Sequence, residues 1–237
     1  MEEALYLNGC YLKEFEAEVK EVNNQKYIVL DKTAFYPKSG GQPQDTGKLI
    51  RQSDNKEFTV VFVGKFSSQI SHEVEEEGLK KGDKITGKIN WERRYKLMRM
   101  HTAAHILSGI FHQKTGALIT GNQLDLEKSR IDFSLENFDR EKINEYITES
   151  NKIINQDLPI KIYTIPRSEA IKEPNLAKLA KGLPEGINNI RIVDIEGFDR
   201  QADGGTHVKS TKEVGKIAFL KAENKGKSNR RVYFTLQ

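Results

Sequence analysis

Apolar and polar positions change their spacing once along the chain. Between residues 14 and 22, Phe15, Ala17, Val19 and Val22 alternate loosely with charged residues. Asn23-Asn24 marks a turn, and Tyr27-Ile28-Val29-Leu30 resumes as a strand. Residues 47–50, 58–63 and 85–91 read as further strands, with Gly64, Gly82 and Asp83 as the breaks between them. Short strands and turns with little helical periodicity predict a small β-barrel over residues 1–91.

After Trp91-Glu92-Arg93-Arg94-Tyr95 the period becomes helical, which places a domain boundary there and a second domain over residues 92–237. Leu97, Met100, Ala104, Leu107 and Phe111 recur at helical spacing and predict a stripe packed on a core. Trp91, Tyr95 and Phe111 are read as core aromatics rather than as a stacking surface for bases. Strand signals follow at 129–133. Asp139 is placed to cap a helix whose inner face is Ile143, Tyr146, Ile147 and Ile154. Residues 160–165 alternate as a strand, Pro174 and Pro184 bracket a short lysine-rich helix, and strands return at 190–195, 214–220 and 232–236. The expected class is α+β: the barrel first, then an α+β domain with a mostly antiparallel sheet.

The chemistry concentrates beside the helical stripe, where Met98, His101, His105, Ser108 and His112 form a second row. Positions 101 and 105 are separated by about 400° of rotation and about 6 Å of rise, so both imidazoles leave one face. Such a pair can hold a divalent metal if at least one further ligand arrives from elsewhere, and alone it is weak evidence. His112 lies about 10 Å beyond His105, too far to share an ion. The further ligands are sought in Phe198-Asp199-Arg200-Gln201-Ala202-Asp203-Gly204-Gly205-Thr206-His207. There Gly204-Gly205 would let the chain curl until Asp203 and His207 face one ion. Taken alone, that segment is equally a strand-connecting turn with an Asx-type hydrogen bond. His101-Thr102-Ala103-Ala104-His105 has no glutamate after its first histidine, which disfavours a zinc protease.

A second unusual stretch runs from Asp31 to Gly47 within the barrel region and contains Thr33, Gly40, Gly41 and Gln42. It reads either as a wide turn or as a loop that approaches a ligand, with the Thr33 hydroxyl and the Gln42 amide needing partners if buried. It lacks the Gly-Lys-Ser/Thr ending of a nucleotide-phosphate loop, so it is not read as an ATP site.

Composition narrows the setting. One cysteine, Cys10, rules out an intrachain disulfide framework, and no apolar run approaches the length of a membrane span. The Met1-Glu2-Glu3 start lacks the basic and apolar parts of a signal peptide, so the cytoplasm is the expected compartment. A net charge of +4 permits a nucleic-acid partner without proving one. Lys209, Lys212, Lys216, Lys221, Lys225, Lys227, Arg230 and Arg231 crowd the last part of the chain, where they would form a phosphate-binding rim beside a site built around His207. Neither charge nor motif fixes an oligomeric state.

Together these stretches resemble a known family, the freestanding alanyl-tRNA editing proteins called AlaX, which are related to the editing domain of alanyl-tRNA synthetase. The resemblance rests on Thr33-Ala34-Phe35-Tyr36-Pro37, Gly40-Gly41-Gln42-Pro43, Arg99-Met100-His101-Thr102-Ala103-Ala104-His105, Ile165-Pro166-Arg167-Ser168-Glu169-Ala170 and Gly204-Gly205-Thr206-His207. It covers nearly the whole chain and looks like the form with an N-terminal β-barrel. It implies hydrolysis of serine or glycine from tRNA specific for alanine, with a Zn2+ ion held at His101, His105 and His207. It also implies a cysteine where this chain has Asp203, which would either supply a harder oxygen ligand or stay off the metal and leave a position for water or substrate. Thr33 is expected to read the seryl hydroxyl, with Gly40, Gly41 and Gln42 around the same substrate and Lys209, Lys212, Lys225, Lys227, Arg230 and Arg231 on the tRNA. Two other readings stand beside this one: a tRNA-binding module without turnover, and a metal-dependent hydrolase of another ester.

Overall fold

In strand β2 (Glu14–Asn23) Phe15, Ala17 and Val19 are buried while Glu14, Glu16 and Lys20 are exposed, the alternation that one wet and one dry face requires. β2 opens a closed barrel with β3 (Tyr27–Leu30), β5 (Gly47–Arg51), β6 (Glu57–Phe66), β7 (Gln69–Val74) and β8 (Lys84–Ile89), paired in the order β2-β3-β7-β6-β5-β8. Two short strands, β1 (Glu3–Ala4) and β4 (Lys32–Thr33), pair in parallel. This computed structural model describes residues 3–66, 69–136, 139–173, 176, 178–180, 182–183 and 186–237. The chain divides into two compact units, Met1–Lys96 and Leu97–Gln237.

The barrel was expected, and its strands lie where the alternation put them, with two differences. Gly64 does not break β6; it pairs with Ser71 inside the ladder. A Cβ there would come within 2.7 Å of the Phe62 ring and 2.8 Å of the Phe66 ring, so the position is left bare for its neighbours' aromatics. The strand β7, rich in polar residues, carried no distinct signal. Its core contributions, Ile70 and Val74, join Leu30, Phe35, Phe58, Val63 and Ile85 inside the barrel.

Helix α1 (Trp91–Thr115) begins at Trp91, several residues before the expected change of pattern. Asn90 caps it, accepting from the Arg93 N–H at 3.1 Å, and Gly116, at φ +71°, ends it by donating to His112 O at 2.8 Å. Every residue from Met100 to Phe111 is buried, so α1 has no polar stripe and its histidines lie in the interior. Phe111 is fully buried and stacks on Phe133 at 4.2 Å. Trp91 and Tyr95, in contrast, are only half-buried, stacked on each other at 5.5 Å under the Lys13 ammonium.

The second unit holds two antiparallel sheets. One has the order β14-β15-β10-β9, from β14 (Ile217–Asn224), β15 (Arg230–Leu236), β10 (Ser129–Phe133) and β9 (Ile119–Gln123). The other has the order β11-β12-β13, from β11 (Ile160–Pro166), β12 (Asn189–Ile195) and β13 (Asp199–Ala202). Asp139 caps α2 (Arg140–Asn155), accepting from the Glu141 N–H at 2.9 Å, and Ile143, Ile147 and Ile154 face inward. α3 (Arg167–Ala170) is a single turn. Val214 closes a 3-10 turn, Thr211–Val214, instead of opening β14. The lysine-rich helix expected between Pro174 and Pro184 has both bracketing prolines outside the described residues; of those described, Leu179 forms an isolated parallel bridge with Ile119. Among the described residues no helix is long and apolar enough to cross a membrane.

Candidate metal centre

His101 and His105 reach their positions because α1 puts them one turn apart on a buried face, with ring centroids 5.1 Å apart. The opposite half of the cluster comes from β13, which pairs with β12 from Asp199 to Ala202 and delivers Asp203 directly beyond its last residue. Arg191 of β12 fixes that point: its O accepts from the Asp203 N–H at 3.1 Å and its guanidinium donates to Asp203 O at 2.7 Å. The chain then turns as the Gly205 N–H donates to Asp203 Oδ2 at 2.5 Å, which brings His207 back toward α1. Neither Gly204 nor Gly205 takes a positive φ, so the curl comes from this Asx-type bond and not from left-handed glycine geometry.

One ligand atom from each of His101, His105, Asp203 and His207 lies within 4.8 Å of those of the others. Asp203 Oδ2 is 3.0 Å from His207 Nε2, and Asp203 Oδ1 is 3.6 Å from His101 Nε2. The His207 ring centroid lies 4.4 Å from that of His101 and 4.6 Å from that of His105. Behind the cluster, Thr102 Oγ1 sits 3.1 Å from His207 Nδ1 and accepts from the Val208 N–H at 3.3 Å. His112 is not part of it; its ring bonds Ala117 O at 3.2 Å.

The electrostatics suit a cation. Burial pushes His101 down to about 3 against the pull of Asp203, pushes His105 well below the ordinary imidazole range and lowers His207 as well. Burial opposes ionisation of Asp203, but the three histidines around it outweigh that and hold its carboxyl well below the ordinary range. Three neutral imidazoles and one carboxylate are the protonation states that a divalent ion binds. His105 Nδ1 adds an independent sign: it is buried and has no hydrogen-bond partner among the described residues, an expense that a metal bond to this nitrogen would remove.

Beside the cluster lies a feature without a sequence signal, a buried ion pair between Lys178 and Asp199. Gln201 Nε2 donates to Asp199 Oδ2 at 2.6 Å and reaches Ser108 Oγ at 3.3 Å. Burial pushes the Lys178 ammonium down to about 8.

In the first unit, the stretch from Asp31 to Gly47 is a tightly held loop. Ser39 and Gln42 exchange backbone bonds of 3.2 and 2.8 Å around Gly40 (φ +55°) and Gly41 (φ +84°), the two positive φ values a type I′ turn demands. Gly40 and Gly41 are exposed at its tip, while Thr33 and Gln42 are buried. Arg94 closes the base of the loop from a wholly buried position. Its Nε lies 3.0 Å from both oxygens of Asp45, Nη2 donates to Ala34 O at 2.6 Å and Nη1 to Cys10 O at 2.9 Å. Asp45 in turn accepts from the Tyr36 N–H at 2.6 Å.

The basic group near the C-terminus divides in two. Lys209, Lys212, Lys225 and Lys227 are exposed. Arg230 and Arg231 do not join them: Arg230 is buried and donates to Gly226 O, Asn229 O and Glu136 O, and Arg231 is bidentate on Asp132 at 2.7 and 2.8 Å. Charge spacing along a strand does not reveal which cations the adjoining hairpin consumes, so their assignment to the rim is corrected.

Comparison with known proteins agrees with these elements. Residues 4–93 match the family described as tRNA synthetases class II (A), and residues 190–233 match the threonyl and alanyl tRNA synthetase second additional domain. The chain is 54% identical over 241 residues to the alanyl-tRNA editing protein AlaX-M of Methanosarcina barkeri, covering 100% of this chain and 99% of that one. It is 46% identical over 239 residues to AlaX-M of Saccharolobus solfataricus, covering both chains completely. An alanine–tRNA ligase of Ignicoccus hospitalis is 37% identical over 219 residues, 91% of this chain and 24% of the ligase. With full-length identity of this order on both sides, the chain belongs to the AlaX-M family of alanyl-tRNA editing proteins.

Proposed function

We propose that this protein is a trans-editing deacylase that hydrolyses the ester of tRNA specific for alanine when it carries serine or glycine, sparing alanyl-tRNA. The observation that carries the reading is the convergence of His101, His105, Asp203 and His207, with His105 Nδ1 buried and without a partner among the described residues. The three imidazoles and the Asp203 carboxylate would hold Zn2+. Bound there, the ion supplies Lewis-acid polarisation and an anchor for the aminoacyl end. The Asp203 oxygen is harder than a thiolate, so other divalent ions compete with zinc better than at a cysteine site.

An aminoacyl ester is already activated, so the chain's own residues need mainly to orient it and admit one water. Thr102 holds His207 through Nδ1, which keeps Nε2 turned toward the ligand cluster. Thr33 reads the seryl hydroxyl, and Gln42 with the backbone of Gly40 and Gly41 lines the aminoacyl group. For serine, a buried polar group favours the substrate that bonds it over the alanyl group, which leaves it unpaired. Lys209, Lys212, Lys225 and Lys227 bind phosphates and give the salt-dependent part of tRNA affinity. The cytoplasm, where charged tRNA is used, is the proposed compartment.

The test follows release of serine, glycine and alanine from tRNA specific for alanine, before and after chelation and with zinc restored. Release of serine that spares alanine, disappears on chelation and returns with zinc supports metal-dependent editing. His101→Ala and His207→Ala should each lose both metal and hydrolysis, and full activity in either overturns the site. Salt-sensitive tRNA binding without release of any amino acid would make the chain a binding module. Cleavage of a small model ester without preference for tRNA would make it a hydrolase of another class.

A further inference from the structure

His72 lies on β7 opposite Ile28 of β3, wholly buried in the barrel, where neither spacing nor motif singled it out. Its ring meets the edge of Phe35 at 5.5 Å. Nδ1 is 2.9 Å from Ile28 O, and Nε2 is 2.8 Å from Thr33 Oγ1. A carbonyl oxygen only accepts, so Nδ1 carries the ring proton. Burial pushes the imidazole down to about 4, so at neutral pH the ring has no second proton and Nε2 can only accept. The Thr33 hydroxyl therefore donates its single proton to Nε2. The Phe35 N–H donates to the same Oγ1 at 3.1 Å, which leaves one lone pair on the oxygen. In this arrangement Thr33 can accept one more hydrogen bond and cannot give one.

We infer that His72 is a positioning residue that fixes Thr33 as an acceptor, so that serine is read by donation of its side-chain O–H to Thr33 Oγ1. The inference rests on the proposed role of Thr33 as reader. Without His72 the threonine proton is free to turn toward the substrate, and the polarity of the contact is lost. The seryl hydroxyl would then gain less over a methyl group than it does against an oxygen already committed as an acceptor.

Three substitutions separate this from a merely structural role. In His72→Gln the side-chain carbonyl reaches the place of Nε2 and keeps an acceptor on Thr33. In His72→Asn the shorter amide keeps a donor near the place of Nδ1 but leaves nothing at Nε2. His72→Phe removes both. Measured as kcat/KM on seryl-tRNA over alanyl-tRNA, both on tRNA specific for alanine, the ratio should fall about tenfold in His72→Asn and His72→Phe, the value of one hydrogen bond. His72→Gln should stay within about twofold of the parent on the same scale. An unchanged ratio in His72→Asn, or an equal fall in His72→Gln, overturns the inference. Thr33→Val serves as the control on the underlying reading: if it leaves the ratio at the parent value, Thr33 is not the reader. If it lowers the ratio while His72→Asn and His72→Phe do not, the reader stands and the positioning role of His72 alone fails.

Discussion

Arg94→Met probes the most heavily committed side chain of the first unit. The guanidinium is wholly buried, bonds both oxygens of an equally buried Asp45, and caps the carbonyls of Cys10 and Ala34. Methionine fills much of the volume but supplies none of the donors, so the carboxylate of Asp45 is left with the Tyr36 N–H as its remaining bond of those described above. Removing one member of a buried pair costs about 3–5 kcal/mol, because the remaining charge is uncompensated. The two abandoned carbonyls push the cost toward the upper end of that range. With a urea slope of about 1.5 kcal/mol per M for a unit of this size, the midpoint should fall by about 2–3 M. Trp91 is the only tryptophan of the chain and belongs to the same unit, so its fluorescence reports this unfolding. Arg94→Lys keeps the charge but loses the fork, and should fall between parent and Met. A midpoint in Arg94→Met within about 0.5 M of the parent would refute the claim that the buried pair, and not the surrounding barrel core, holds the ends of the loop together.

Thr102→Val should leave the fold intact and weaken zinc binding about 10–100-fold, measured by competition with a chelating dye, because His207 Nδ1 loses the partner that orients its ring. Asp203→Cys should raise zinc affinity and sharpen preference for zinc over manganese at least about tenfold, since a soft thiolate replaces a hard oxygen; an unchanged preference for zinc over manganese would remove Asp203 from the ligand set. His72 gives a pH dependence whose sign is fixed by its depressed value: the unfolded state binds a proton near pH 6.5 that the folded state refuses until about pH 4. Its contribution is therefore complete above pH 6.5 and is lost as the pH falls toward 4, by about 3 kcal/mol in total. Urea titrations at pH 7 and pH 4.5, followed through Trp91, should show a steeper acid loss in the parent than in His72→Gln, and parallel losses would contradict the assignment.

What could be read in the sequence follows from how local each signal is. Alternation in β2 and β3, the Asp139 cap and the 101/105 spacing are set by neighbours within a few residues, and each stands where it was expected. β7, β9 and β13 were not legible, because their polar residues face partners contributed by distant strands. His72 is the clearest case: between Ser71 and Glu73 it looks like a solvent-side residue, and only closure of the barrel buries it against Ile28 and Thr33. Arg94 reads as one more cation in a basic run until the loop base folds around it. Arg230 and Arg231 fail in the opposite direction, since charge alone suggested a nucleic-acid surface and the β14–β15 hairpin and Asp132 absorb both.

Strand register, which the spacing of residues did not show, is what joins the two halves of the metal cluster. Two histidines on a helix specify a direction but not a partner. The partner is specified by the strand register: β12 and β13 pair from Ile195 with Asp199 to Ile192 with Ala202, so Asp203 must emerge at the end of the hairpin, where Arg191 is waiting for its carbonyl. Four residues later His207 returns with Thr102 behind it. A carboxylate at position 203 brings two oxygens to this frame where a thiolate brings one sulfur. It accepts the Gly205 N–H that turns the chain and still lies 3.0 Å from His207 and 3.6 Å from His101. Asp203 thus shapes the loop as well as facing the cluster. Replacing it by cysteine is expected to strengthen zinc binding while loosening the turn that presents His207, two opposing effects that measurements of metal affinity and of deacylation rate would separate.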